Sequence, residues 1–340
     1  MTRIYLTHTP DALKNYYGAR ALAQLRTLGD VTLNPHGRLL TLDEFIDVAA
    51  GHDIVVASRD AAAPAAFFER LPDLVAICRV AVDIRNIDVE AASRHGVLVT
   101  RATPGFDTSV AEWVVGAMFD LSRGFSASAA AYWQQRAPAI AMGRELRAST
   151  LGIVGYGFIG RRLARLARAL DMSVRVYDPH VTSDEADVEA ASFDDVLAHS
   201  DYVVCLAPAV PETVNLFDRD AFARMRPDAF FINASRGELV DDDALIDALD
   251  RGAIAGAAID VGRATDQMPA ATLAAHPKVV ATPHVGGLTP PAIEHQAMDT
   301  VEQVRALVEG RLPAHAVNAE HATRLARLPG FSHTAQGARQ

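Results

Sequence analysis

The chain has 340 residues, half of them hydrophobic, enough for two domains with full cores. A formal net charge of -10 argues against non-specific binding to nucleic acid or to an anionic membrane surface. No apolar run reaches the ~18 residues of a membrane span, and the N-terminus MTRIYLTHTP carries no signal-peptide pattern, so a cytoplasmic protein is expected. The only cysteines, Cys78 and Cys205, sit in the apolar runs LVAICRVAV and YVVCLAP and are expected as buried, reduced thiols.

Residues 1–100 alternate apolar runs with helical spacing. Strands are predicted at 4–6, 31–33, 54–57, 74–82 and 97–99, with helices at 18–28, from 41 to about 49, 65–70 and 89–94. Thr41 and Glu44 have capping-box spacing. This alternation argues a parallel sheet. Thr103-Pro104-Gly105 breaks the rhythm and marks a domain crossing. A long helix is predicted at 109–122, with Val110, Trp113, Val114, Ala117 and Leu121 on one face. The Ala-rich stretch 124–148, with Tyr132 and Trp133, reads as helix plus extended arm. From Leu151 the alternation resumes, with helices at 193–197, 221–225 and 242–251 and strands at 202–206, 229–233, 254–260 and 279–281. A helix at 290–309 could return to the first domain, and the tail from about Glu320 is expected to be loose.

Residues 151–180, LGIVGYGFIGRRLARLARALDMSVRVYDPH, carry the strongest single signal. A short apolar strand runs into Gly155, Gly157 and Gly160, which form G-x-G-x-x-G, and a helix follows with Ile159, Leu163, Leu166 and Leu170 on one side. For a dinucleotide, Gly155 permits the sharp turn, Gly157 lets the backbone approach a pyrophosphate, and Gly160 lets the helix pack on its strand. The amides of Phe158 and Ile159 at the helix start would face the phosphates. Asp178 ends the next strand about 20 residues on, where a carboxylate accepts ribose hydroxyls and repels a 2′-phosphate, which favours NAD over NADP.

Together with four further motifs, the chain resembles the D-isomer-specific 2-hydroxyacid dehydrogenase family, over about residues 50–315. Asn86-Ile87-Asp88 resembles the end of the family's substrate-loop signature, and Thr103-Pro104-Gly105 with Thr108 and Val110-Ala111-Glu112 its hinge helix. FINASRGELVDDDALIDAL at 231–249 is similar to its arginine motif and TPHVGGLT at 282–289 to its histidine motif. The resemblance implies an α/β protein of two doubly wound parallel-sheet domains with a cleft between them. A Rossmann-type NAD domain, 103–283, would be inserted in a flavodoxin-like, discontinuous substrate domain, 1–102 and 284–340. It also implies pairing of two inner domains through residues 109–148, hence a homodimer.

The same resemblance implies that Arg236 clamps the substrate carboxylate and carbonyl, a task suited to a permanently charged two-pronged guanidinium. It makes His284, one of 12 histidines, the acid/base. Imidazole titrates near neutral pH and can take or give the hydroxyl proton. Asp260 would contact the nicotinamide carboxamide; Thr108, Pro208, Ala234, Ser235, Arg236, His284 and Gly287 would be further cofactor contacts. No metal is expected.

Two stretches depart from the family. Where most members have a glutamate that partners the histidine, this chain reads DVGRATDQMP. Counting from either end gives Thr265 or Met268; the polar candidates are Asp266, taken as the third catalytic residue, and Gln267, which could orient but not charge the ring. The substrate loop, usually glycine-bearing, reads Ala81-Val82-Asp83, so Val82 and Asp83 become the substrate contacts. Asp83 either alters specificity or pairs with Arg85 or Arg79 and only shapes the loop.

The expected activity is hydride transfer between NAD(H) and a small 2-hydroxy or 2-oxo acid. Alternatives are an NAD(H)-sensing corepressor-like protein on the same fold, whose partners would be proteins, and a formate-dehydrogenase-like enzyme suggested by Gln267. The chain ends soon after its final helix, so the C-terminal regulatory domain that some phosphoglycerate enzymes carry is not expected.

Overall fold

The structure, a computed structural model, describes residues 1–180, 188–264 and 267–331. It divides into two compact units: Met1–Gly105 with the chain from Pro290 onward, and Phe106–Thr289.

In the first unit, β1 (Arg3–Leu6), β2 (Asp30–Leu33), β3 (Ile54–Ala57), β4 (Ala76–Arg79) and β5 (Leu98–Arg101) pair in parallel in the order β2-β1-β3-β4-β5. The helices between them are α1 (Pro10–Tyr16), α2 (Ala19–Leu28), α3 (Leu42–Ala49), α4 (Ala65–Arg70) and α5 (Val89–Arg94). Successive strand residues face opposite sides of a sheet. Ile4, Leu6, Ile54, Val56 and Cys78 accordingly pack with Leu25 and with Val301, Val304 and Leu307 of the Pro290–Val308 helix. Tyr5, Val55, Ile77 and Val99 pack on the other side with Phe45, Phe67 and Phe68. Covered on both faces, β3 is buried at every position, which is why its sequence, IVVA, is continuously apolar.

The capping box at α3 is formed in both directions: Glu44 N–H donates to Thr41 Oγ1 and Thr41 N–H to Glu44 Oε2. Helix α1 was not anticipated, although Thr9 caps it through Ala12 N–H and Pro10 begins it, both recognisable start signals. The strand expected over 74–82 is shorter. Only Ala76–Arg79 extends, and the chain then turns. Val80 and Ala81 stay buried in that turn, so the apolar run outlasts the strand.

The expectation of a loose tail from Glu320 is not met as far as Phe331. Ala322, Leu325 and Leu328 are buried in the first unit, and Arg324 donates to the carbonyls of Leu71 and Leu74 at 2.8 and 2.9 Å. The tail docks through two short 3-10 turns and irregular backbone, which leave no helical period to read.

The second unit opens with α6 (Asp107–Arg123) and α7 (Phe125–Trp133). It continues through β6 (Thr150–Val154), α8 (Phe158–Ala169), β7 (Ser173–Tyr177), β8 (Glu189–Ala190), α9 (Phe193–His199), β9 (Tyr202–Cys205), α10 (Arg219–Arg224), β10 (Phe230–Asn233), α11 (Asp242–Asp250), β11 (Gly256–Ile259), α12 (Ala271–Ala274) and β12 (Val279–Ala281). The sheet is parallel, in the order β12-β11-β10-β9-β6-β7-β8. The chain leaves β6 for β7 on one side and later returns to β9 on the other. That reversal opens a crevice at the C-terminal ends of β6 and β9, where open α/β sheets take their ligands. Helix α6 covers this sheet with Ala111, Val114 and Met118, packed against Leu163 and Ala167 of α8 and against Leu151, Ile153, Val204 and Ile232.

Candidate active site

The Gly155–Gly160 turn lies in that crevice. Gly155 has φ +99°, a left-handed backbone, and a Cβ there would stand 2.5 Å from Ala207 N. A Cβ on Gly160 would meet Gly155 O at 2.6 Å, so both glycines are required by close backbone approach. Gly157 differs: its Cβ would meet nothing within 4 Å. It is the N-cap of α8, and no side chain caps that terminus. The first N–H groups of the helix are thus left without a side-chain acceptor beside a bare backbone, which is the setting for an anion. Ile159 is half-buried, whereas Phe158 is 76% exposed.

Asp178 sits beside this turn. Its Oδ2 accepts from Tyr156 N–H at 2.7 Å and its Oδ1 from His180 N–H at 2.9 Å. Two backbone donors hold the carboxylate in place before any ligand arrives. Pro208 is exposed after β9, and its carbonyl accepts from Thr213 Oγ1 at 2.7 Å. Thr108, on the first turn of α6, is exposed.

Arg236 follows β10. Asn233, buried at the strand end, accepts from Ser235 N–H at 3.1 Å and donates to Arg236 O at 2.9 Å. This side chain folds residues 233–236 into an Asx-type turn. Ser235 Oγ donates to Ala207 O at 2.5 Å, and Ala234 and Arg236 are half-buried. Arg263 braces the region by donating to the carbonyls of Val240 and Glu238 and to Asn215 Oδ1. Sequence reasoning missed Arg263; an arginine four residues past the end of β11, after Gly262, gives no distinct signal.

His284 lies in the second unit, after β12. Its φ is +56°, unusual for a residue with a side chain, and its N–H donates to Thr282 O at 3.0 Å. Asp260, at the end of β11, is 3% exposed. Its Oδ1 accepts from Thr282 Oγ1 at 2.5 Å and from Val285 N–H at 2.8 Å, and its Oδ2 from Gly286 N–H at 2.8 Å. Burial pushes the Asp260 carboxyl pKa up, and these three donors pull against that. On its other side the loop rests on α6: a Cβ at Gly287 would meet Phe106 at 3.3 Å, and Ser109 bonds Thr289 at 2.6 Å. Of the two residues considered as histidine partners, Asp266 lies outside the described residues, as does Thr265. Gln267 is in a left-handed turn (φ 59°), its carbonyl accepting from Gly262 N–H at 2.8 Å.

In the first unit, the turn after β4 carries Val82 and Asp83, both partly buried. Asp83 pairs with Arg85: it accepts from the backbone N–H at 3.0 Å, from Nε at 3.1 Å and from Nη2 at 2.9 Å. Arg79, fully buried, spends its fork on Ser58 O, Ala61 O and Asn86 Oδ1. Burial lowers its pKa to about 10. An arginine inside an apolar run is the signal that could have marked it as this turn's brace.

Comparisons with known proteins give the family. Residues 115–286, just over half of the chain, match the family model described as D-isomer specific 2-hydroxyacid dehydrogenase, NAD binding domain. The chain belongs to the D-isomer specific 2-hydroxyacid dehydrogenase family. A D-3-phosphoglycerate dehydrogenase of Synechocystis is 31% identical over 282 residues, covering 81% of this chain and 50% of that protein. The chain thus spans about half the length of this relative. Among solved structures, the TT0316 protein of Thermus thermophilus aligns with TM-score 0.83 and 29% identity, over 93% of this chain and all of that one. The pyruvate reductase of Chlamydomonas reinhardtii aligns with TM-score 0.81 and 25% identity, covering 92% and 98% of the two chains.

NAD is the family's cofactor, and the residues of the β6–α8 turn fit it. The side-chain-free surface at Gly157 and the uncapped helix start suit a pyrophosphate, and the prearranged Asp178 carboxylate suits a diol. Among the described residues no group of three or more metal-ligating side chains occurs, and no helix is long and apolar enough to cross a membrane.

Proposed function

We propose that this dehydrogenase-family protein oxidises a small 2-hydroxy acid, or reduces the 2-oxo acid, with His284 as acid/base and Arg236 as carboxylate clamp. The observation that carries the proposal is the fixed histidine loop at the C-terminal edge of the NAD-binding sheet. His284 is held in a left-handed turn there, in the same unit as Arg236 and the glycine turn.

Bound NAD supplies the hydride acceptor. Asp178 holds the ribose, the amides of Phe158 and Ile159 face the pyrophosphate, and Gly155, Gly157 and Gly160 make room for it. Thr108, Pro208, Ala234, Ser235, Asp260 and Gly287 line the remainder of the cofactor site. Arg236 holds the carboxylate so that C2 presents its hydrogen. In oxidation His284 takes the hydroxyl proton as the C2 hydrogen leaves with its electron pair; in reduction it returns a proton to the carbonyl oxygen. Val82 and Asp83 contribute to substrate selection, and Asp266 is the proposed acidic partner of the histidine. Exposed Phe125, Tyr132, Trp133, Ile140 and Met142 support pairing with a second copy. The two buried free cysteines suit a reducing cytoplasm.

The test is NADH oxidation against a panel of 2-oxo acids that includes 3-phosphohydroxypyruvate, chosen because of the names of the relatives. His284→Ala is expected to slow turnover ~10²–10⁴-fold while NADH affinity is kept. An unchanged rate removes His284 as the acid/base; NADH binding with no turnover on any acid points instead to an NAD(H) sensor.

A further inference from the structure

Asp260 was expected only as a contact for the nicotinamide end of the cofactor. Its carboxylate is mostly occupied within the protein. An ionised carboxylate offers about four acceptor positions. Thr282 Oγ1 and Val285 N–H take both on Oδ1, and Gly286 N–H takes one on Oδ2. These donors come from both sides of His284, two residues before it and one and two residues after.

We propose that Asp260 is the positioning residue of the acid/base loop, fixing the left-handed backbone that aims His284. A left-handed residue bearing a side chain is disfavoured and persists only where its surroundings impose it. Here three bonds to one buried carboxylate impose it. The fit is tight: a Cβ at Gly286 would lie 2.8 Å from Asp260 Oδ2. The anchor is itself fixed, because Asp260 N–H donates to Asn233 O at 3.1 Å and Thr282 N–H to Ile259 O at 3.0 Å. Asn233 also shapes the Arg236 turn, so that turn and the anchor of the His284 loop sit at the ends of adjacent strands β10 and β11, while the loop itself follows β12, the next strand of the sheet. The fourth acceptor position, on Oδ2, can receive one further N–H, such as a carboxamide. One carboxylate then holds the loop and meets the cofactor.

This inference rests on the reading of His284 as acid/base, and two variants separate the two. Asp260→Asn keeps the shape but turns an NH₂ group toward backbone donors. Thr282→Val removes one of the three bonds and leaves the carboxylate's cofactor position intact. We expect kcat to fall at least tenfold in Asp260→Asn. In Thr282→Val it should fall about threefold, with NADH Kd within twofold of wild type. Hydrogen exchange on the cofactor-free proteins supplies a readout independent of turnover: the Val285 and Gly286 amides should exchange at least tenfold faster in Asp260→Asn, with β9 and β10 unchanged. Wild-type kcat in Thr282→Val, or faster exchange spread evenly over the sheet, overturns the proposal. If Asp260→Asn does not fold, Thr282→Val carries the test alone. An active His284→Ala sinks the acid/base reading, while the exchange data still decide whether Asp260 holds the loop.

Discussion

Two turns in this protein follow the C-terminal end of a buried parallel strand, and they treat an anion in opposite ways. The turn after β6 leaves its amides open: Gly157 has no side chain in the way and α8 has no side-chain cap. The turn after β4 fills the equivalent position with its own acid, since Asp83 takes the Arg85 N–H and the Arg85 guanidinium. A strand end in a parallel sheet is only an opportunity for binding. The residues of the turn decide whether a ligand or the chain itself uses the donors.

The contrast breaks most severely at Gly155. Gly155→Val adds a branched side chain where φ is +99° and Ala207 N would be 2.5 Å from the Cβ. Strain and overpacking together should cost on the order of 3 kcal/mol or more. NADH affinity should drop more than ~100-fold, read by fluorescence titration alongside urea unfolding. Near-normal affinity would show that the turn tolerates a side chain.

The closed character of the first unit gives the next effect. His8, just past β1, is buried, and desolvation, assisted by the charge of Arg79, lowers its pKa to about 4. The unfolded chain, with an ordinary histidine near ~6.5, binds this proton first. The associated stability is therefore complete above pH ~6.5 and is lost as pH falls toward about 4, to the extent of roughly 3 kcal/mol. His8→Phe should flatten the pH dependence of the urea midpoint in that window. An equally steep dependence in the variant would assign it to other groups.

Asp178→Ala opens the second unit further. Loss of a charge-assisted ribose contact is worth roughly 1.5–3 kcal/mol, about tenfold or more in NAD affinity, and the missing negative charge should relax the preference against NADP. Paired Kd measurements for NADH and NADPH decide it; an unaltered ratio would place the ribose elsewhere.

Much of the alternation of strands and helices could be read from the chain, because central strands such as β3 and β9 are covered on both faces and apolar throughout. The glycine turn was legible for a different reason: three glycines, an apolar strand, an amphipathic helix and an acid each satisfy a separate requirement. Features made by long-range side-chain bonds left no periodic trace. The bonds from Thr282 to Asp260, from Arg263 to Val240 and from Arg324 to Leu71 join residues 22, 23 and 253 positions apart. The tail was misjudged because it docks by capping carbonyls rather than by presenting a helical face.

The smallest expected effect tests the closed turn itself. The Asp83–Arg85 pair has side-chain exposures of 19% and 56%, so its removal should change stability by less than ~1 kcal/mol. Its effect on selectivity should be larger than that. With Asp83 present, its carboxylate is offset locally by Arg85 and repels further negative charge. In Asp83→Gly the Arg85 N–H and guanidinium are no longer engaged by that carboxylate, and an anionic substrate group can take its place. The variant should therefore gain several-fold in kcat/KM on 2-oxo acids with a second anionic group, relative to those with one. The same panel run on Arg85→Ala should move the ranking the other way, since Asp83 then lacks its neighbour's compensation. Identical rankings in all three proteins would mean that the pair only shapes the turn and that the choice of acid is made by other residues.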